Sequence, residues 1–209
     1  MRKLTAEEEL NLWKSCSGNA RGRPPQKSGR IKSSKNRSVI GKYNNELGQG
    51  FETEIGFSCE IYRAAQEAII LKTPEPFRVL QKGENGRFIG VFGHHAQPDY
   101  TGTLKGGRSI IFEAKATATD RIKYGVLSET QVKLLNEHNL LGALCFVLVQ
   151  IKDRRFAVPW NVFSRMKEIY GHQYVSCDDI KEYEIFGRPK NPLPFLDVAL
   201  ADDFSKEMR

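Results

Sequence analysis

Apolar positions change their period several times along this chain, and each change marks an element. Phe51, Ile55, Ser58, Cys59 and Tyr62 fall on one helical stripe, which predicts a helix from about Phe51 to Ala68 packed on a core. The run "AIILK" (68–72) reads as a buried strand that Pro74 and Pro76 end. Two strand-like runs in "FRVLQKGENGRFIGVF" flank Gly83 to Gly86, a turn that suits a hairpin. Polar residues interrupt both of its faces, so the pair is expected to project as a stalk over about 74–92. Then come a helix from about Ser128 to Asn139, the apolar strand "ALCFVLVQI", the short strand "RRFAVP", and a helix from Trp160 to Tyr170 that Pro159 opens.

Between stalk and helix lies "QPDYTGTLKGGRSIIFEAK", Gln97 to Lys115. Asp99–Leu104 and Arg108–Lys115 read as the strands of a hairpin whose loop is centred on Gly106. Asp99 and Glu113, each seven residues from that centre, then lie opposite one another. Opposed side chains on an antiparallel pair have Cβ atoms about 4.5 to 5.5 Å apart, where like charges repel. Alternation puts Ile111, Glu113 and Lys115 on one face and Ile110, Phe112 and Ala114 on the other. Lys115 therefore joins the two carboxylates. A polar loop leads from it to the next helix, and the order of elements predicts an α/β domain around a mixed sheet.

The net charge of +7 is unevenly placed: residues 1–50 hold 11 Lys+Arg against 4 Asp+Glu, and the rest hold 21 against 21. Residues 18–45, "GNARGRPPQKSGRIKSSKNRSVIGKYNN", are basic and poor in large apolar groups. Such a segment cannot bury enough surface to offset its ordering entropy and is expected to be mobile when free. Ahead of it, Thr5 and Glu8 have the spacing of a capping box, which predicts a short helix over 5–15. The expected division is a largely flexible basic arm, 1–47, and a globular domain, 48–209. A nearly single-signed arm binds phosphate backbones, and its candidates are Arg21, Arg23, Lys27, Arg30, Lys32, Lys35 and Arg37. Within it "RGRPP" resembles the core of an AT-hook, which lays arginines in a narrow minor groove, although Asn19-Ala20 and Gln26 depart from the usual basic flanks. A solubilising tail is the remaining alternative.

There is no run of about 18 apolar residues, and acids stand near the start where a signal peptide needs an apolar stretch. The expectation is a soluble, cytoplasmic protein with no membrane partner. The four cysteines are scattered, without a CxxC pair or zinc-ligand spacing, and read as free thiols.

Two hard carboxylates with room for water suit Mg²⁺, or Mn²⁺ in its place, with a substrate phosphate completing the shell. A lysine beside such an ion orients the attacking water or helps take its proton, since a desolvated ammonium titrates more easily. Together they are equipped to hydrolyse a phosphodiester. An ordinary Asp/Lys/Glu ion-pair cluster on a solvated sheet face has the same pattern. The Pro-Asp pair, the loop spacing and the basic arm favour the catalytic reading.

Pro98-Asp99 with Glu113-Ala114-Lys115 resembles the signature of the PD-(D/E)XK nuclease superfamily, loose by itself. More specifically, "GQGFETEIGFSCEIYR" resembles, without gaps, the first helix of RecU-type Holliday junction resolvases. "LKTPEPFRV" resembles the K-x-P-x-P segment that enters their stalk, and "DYTGTLKGGRSIIFEAK" their D-Y-N-G to D-F-E-A-K block. "LSETQVKLL" resembles their glutamine-bearing helix, and "FAVPW" their I-P-Y-type segment. The resemblance runs in order from about Lys35 to Leu196. It departs where the family has threonines before its aspartate, since this chain has His95, Gln97 and Pro98, and where the family has histidines near the glutamine, since this chain has Ser128 and Thr130. His94 and His95, neighbours that point opposite ways on a strand, read as facing solvent or DNA rather than metal.

The resemblance implies a restriction-endonuclease-like mixed sheet flanked by helices. It implies that Asp99 and Glu113 bind the metal, that Lys115 serves the attacking water, that Glu52 completes the metal shell and that Gln131 helps hold the site. Glu52 also reads as a first-turn glutamate favoured by the helix dipole, and Ser128 with Gln131 as a capping box. The implied activity is the nicking of two symmetric strands of four-way junction DNA in recombination and repair, by a homodimer, with a recombinase as candidate partner. Two other readings compete: a different PD-(D/E)XK nuclease acting on linear or branched DNA, and a non-catalytic DNA-binding recombination factor.

Overall fold

The computed structural model describes residues 32–74, 77–85, 87–92 and 97–207. The predicted helix over 5–15, the "RGRPP" segment, Arg21, Arg23, Lys27, Arg30, Cys16, His94 and His95 lie outside the described residues. The chain divides into two units, 1–36 and 37–209.

Helix α1 spans Lys32–Ala64. Its apolar stripe is the predicted one: Phe51, Ile55, Ser58, Cys59 and Tyr62 are all buried. Ser58, the polar member, donates its Oγ to Asn191 Oδ1 at 2.8 Å, so its burial is compensated. The helix starts well before Phe51, and residues 32–47 of the expected arm are helical. Ile40, Tyr43 and Leu47 continue the stripe of Phe51 and Ile55 at spacings of three and four, a signal that the surrounding Ser, Asn, Gly and basic residues outweigh in composition. At the other end Gln66 takes φ 56°, a left-handed residue just past the helix, and Ala68 belongs to the next strand.

A five-stranded sheet follows, from β1 (Ala68–Lys72), β4 (Tyr100–Leu104), β5 (Ser109–Thr117), β7 (Leu144–Ile151) and β8 (Arg154–Pro159), in the order β1-β4-β5-β7-β8. Only β5 and β7 are parallel; helix α2 (Glu129–Leu140) lies in the crossover between them. All eight residues of β7 are buried, the polar Gln150 among seven apolar ones, as in a central strand covered on both faces. "AIILK" is instead an edge strand: Ala68 and Ile70 are buried, while Ile69 and Leu71 are more than half exposed. An apolar run of five residues does not reveal that one face lacks a cover.

Even-numbered residues of the central strands face one core with α1 and α5 (Phe195–Glu207), among them Tyr100, Phe112 and Phe146. The opposite core gathers Ile111, Val147, Val149 and Trp160. Tyr100, Phe112 and Phe146 are register partners across three strands, and their rings stack with both centroid separations at 4.7 Å. Each such pair adds about 0.5 to 1.5 kcal/mol beyond area burial. The ladder pins a register in which Asp99 and Glu113 face each other one step beyond Tyr100 and Phe112. Gly102 permits the same pairing on the other side: a Cβ there would sit 2.1 Å from the Ile69 carbonyl oxygen.

The stalk segment forms a separate two-stranded sheet, β2 (Phe77–Lys82) with β3 (Phe88–Phe92). A bulge lies between Val79 and Gln81. Every residue of β2 is exposed. The predicted helix 160–170 is two short ones, α3 (Trp160–Phe163) and α4 (Met166–Tyr170). Trp160, Phe163 and Met166 repeat every three residues, a spacing that drifts off one face of a straight helix; the break lets all three stay buried. The expected polar loop after Lys115 contains β6 (Arg121–Lys123), which pairs with β9 (Tyr174–Ser176). Cys59, Cys145 and Cys177 are free. Among the described residues no helix is long and apolar enough to cross a membrane.

Candidate active site

Asp99 stands immediately before β4, held from the end of β1. Thr73 N donates to the Asp99 carbonyl at 2.8 Å and Thr73 Oγ1 to the Pro98 carbonyl at 2.7 Å. Glu113 and Lys115 come from β5, two residues apart and so on one face. The acids are tied reciprocally through the main chain. Asp99 N donates to Glu113 Oε2 and Ala114 N to Asp99 Oδ2, each at 3.1 Å. These bonds aim both carboxylates at one point. Lys115 Nζ fills it, bonded to Glu113 Oε1 and 3.7 Å from Asp99 Oδ2.

Glu113 has no solvent exposure, whereas Lys115 and Asp99 each keep about a fifth of their side-chain surface, 20% and 22%. Burial pushes the Glu113 carboxyl up to about 7, with Asp99 adding to the rise and the Lys115 ammonium opposing it. An acid held that high at the bottom of a cluster opening to solvent is a candidate functional group.

Gln131 closes the capping box that its spacing predicts and also reaches Glu113. Its Oε1 accepts from Ser128 N at 2.9 Å, and Ser128 Oγ accepts from Gln131 N at 3.2 Å, closing a capping box on α2. Its Nε2 donates to Glu113 Oε1. The cap thus fixes the side chain that fixes the buried carboxylate. Gln131→Ala is expected to cost about 1 to 2 kcal/mol of stability, for one lost cap and one lost bond to a charged group, read as a lower urea midpoint at unchanged slope.

Glu52 is not gathered with these acids. Its Oε2 pairs with Lys72 Nζ at 2.6 Å, and both side chains are about half exposed. Lys72 is the register partner of Tyr100, next to Asp99. It is a basic group beside the site that the sequence reading passed over, although it is the lysine of the quoted "LKTPEP". Lys32, Lys35 and Arg37 lie in the first turns of α1.

Asp99 and Glu113 present hard oxygen donors that converge on one point, the donor set that Mg²⁺ or Mn²⁺ takes. Among the described residues no group of three or more His, Cys, Asp or Glu side chains comes together. Two carboxylates leave the remaining positions to water and phosphate, the habit of Mg²⁺ rather than of a closed structural site. The residues fit the ion.

The family model for Recombination protein U matches residues 46–199. No curated protein matches the chain. Among solved structures, the Holliday junction resolvase Hjc of Archaeoglobus fulgidus is similar with a TM-score of 0.37 and 12% identity over 61% of this chain and 91% of that one. That likeness is too distant for anything to rest on it.

Proposed function

The chain belongs to the family of Recombination protein U, and we propose that it is a DNA endonuclease that resolves Holliday junctions in recombination by metal-dependent hydrolysis of two symmetric phosphodiesters. The observation that carries the chemistry is the convergence of Asp99, Glu113 and Lys115 under the main-chain bonds described above.

Asp99 and Glu113 would hold the cation, which supplies Lewis-acid polarisation of the phosphate and a bound water of lowered pKa. Lys115 Nζ, which lies beside both carboxylates, would orient the attacking water. The bond formed is from water oxygen to phosphorus, and the bond broken is from phosphorus to the leaving strand's oxygen. Gln131 Nε2 keeps the Glu113 carboxylate in its plane. Glu52 acts through Lys72: their pair keeps an ammonium next to the segment that carries Asp99, placed for a backbone phosphate.

Two matched cuts across a two-fold junction call for two related sites, hence a homodimer. Recognition of the junction comes from shape and phosphate placement. The β2–β3 hairpin enters the open centre, and the basic residues of the first 47 supply phosphate affinity. Incubating the purified chain with a synthetic four-way junction and with linear duplex of the same sequence tests this. Mg²⁺ should yield two symmetric nicks in the junction and EDTA none. Equal cutting of the duplex, or cutting in EDTA, rules the proposal out.

A further inference from the structure

A groove lies at the end of the strand that carries the site. Glu113, Lys115 and Thr117 share one face of β5, and Thr117 lines a cavity of about 700 Å³ together with Thr119, Arg121, Lys123, His172 and Tyr174. Thr117 is two residues, about 7 Å, beyond Lys115. No carboxylate is among the described residues that line the groove.

Its floor is built by alternation on the β6–β9 ribbon. Ile122 and Val175, register partners, are buried in the core. Their neighbours Arg121, Lys123 and Tyr174 therefore occupy the opposite face. The His172 ring lies parallel to that of Tyr174, 6° apart in plane and 3.8 Å between centroids. The Arg121 guanidinium carbon is 4.7 Å from the same Tyr174 centroid. Two groups at those distances cannot share one face of a ring, so Tyr174 is sandwiched between them. Asp120 grips the edge of the guanidinium with two bonds of 3.0 Å. The plane is thus fixed along its edge and across one face. Its other face, on a side chain 43% exposed, is left for a further planar group.

We propose that this groove holds the DNA nucleotide adjoining the phosphate that is cut, its base stacked on the outer face of the Arg121 guanidinium and its backbone held by Lys123. The Thr119 hydroxyl donates to the Arg121 carbonyl and bonds the Thr117 hydroxyl, which fixes the loop beside the guanidinium. A planar cation backed by aromatic rings, with an ammonium beside it, is the chemistry of a single-stranded nucleotide site. The volume suits one nucleotide. Such a base is unpaired, so the groove selects DNA whose pairing is already interrupted at the cut, where extrusion costs least. The inference rests on the nuclease reading above, since it uses the cut phosphate at Lys115 to set the neighbour's place.

The test is a four-way junction carrying 2-aminopurine on one side of the mapped cut, then on the other, bound to the full chain bearing Asp99→Asn so that the DNA stays whole. Stacking should quench fluorescence at one of the two positions. Adding Arg121→Lys, which keeps the charge and gives up the plane, should abolish the quench and weaken junction binding about tenfold; adding Tyr174→Phe should preserve both. Tight junction binding with quench at neither position, or quench that survives Arg121→Lys, overturns the nucleotide site and leaves the nuclease reading standing. Failure of the parent chain, in EDTA, to bind the junction removes both.

Discussion

Asp99→Asn is expected to abolish cleavage of a four-way junction while leaving its binding intact. The substitution keeps the side-chain shape, and its Oδ1 still accepts from Ala114 N, so the turn before β4 persists. What it removes is one of the two charges proposed to hold the cation. A metal's charge is worth several kcal/mol to the transition state, so the rate should fall about a thousandfold or more. Gel-shift and nicking assays on the same preparation read both quantities. Persistent cleavage would place the chemistry elsewhere, and loss of binding together with cleavage would make Asp99 a structural residue. The non-catalytic reading predicts no cleavage by the parent chain under any metal.

The second large effect is a pH dependence that runs one way for stability and the other for activity. Burial places the folded Glu113 carboxyl at about 7, above its ordinary value of 4.5. Between those values the folded state binds more protons than the unfolded one, so stability falls as pH rises through the window. Above about pH 7 the ionised carboxylate costs the metal-free protein on the order of 3 kcal/mol. Glu113→Gln should therefore be more stable than the parent at pH 8 by about that amount and equal to it near pH 4, with no cleavage at either. Cation binding needs the ionised form. At Mg²⁺ below saturation, cleavage by the parent should rise about tenfold per pH unit up to about pH 7 and then level. Urea unfolding in EDTA and initial nicking rates over the same pH series measure the two limbs. A stability difference that does not change with pH would refute the buried-acid account.

Several elements were legible because their text carried a period. The α1 stripe, the largely apolar β7 and the capping box of α2 are local patterns. The Gly106 hairpin is legible for a different reason. A turn fixes its own register, so counting outward from Gly106 puts Asp99 beside Glu113. Gln131 was read as either cap or site residue, and no local pattern could show that one amide serves both.

What escaped were properties that depend on what lies across from a segment. "AIILK" has the same letters whether both its faces are covered or one is bare. Residues 32–47 are mostly Ser, Asn, Gly and basic groups, a composition that reads as arm although Ile40, Tyr43 and Leu47 extend the helical stripe. β6 and β9 are three residues each, too short for a period to register, and lie some fifty positions apart. The groove they form has no sequence signature, because Arg121, His172 and Tyr174 meet only through their pairing.

By itself, then, the sequence determined the helix stripe, the strand order's raw material and the opposition of two acids, since all of these follow from spacing along one continuous backbone. Tertiary structure alone decided that Lys72 takes Glu52, that Gln131 reaches Glu113, and that an arginine plane stands over a tyrosine ring at the end of β5. Those are encounters between segments remote in the chain. Which face each segment turns to the other is set by packing of the whole domain and not by the residues on either side.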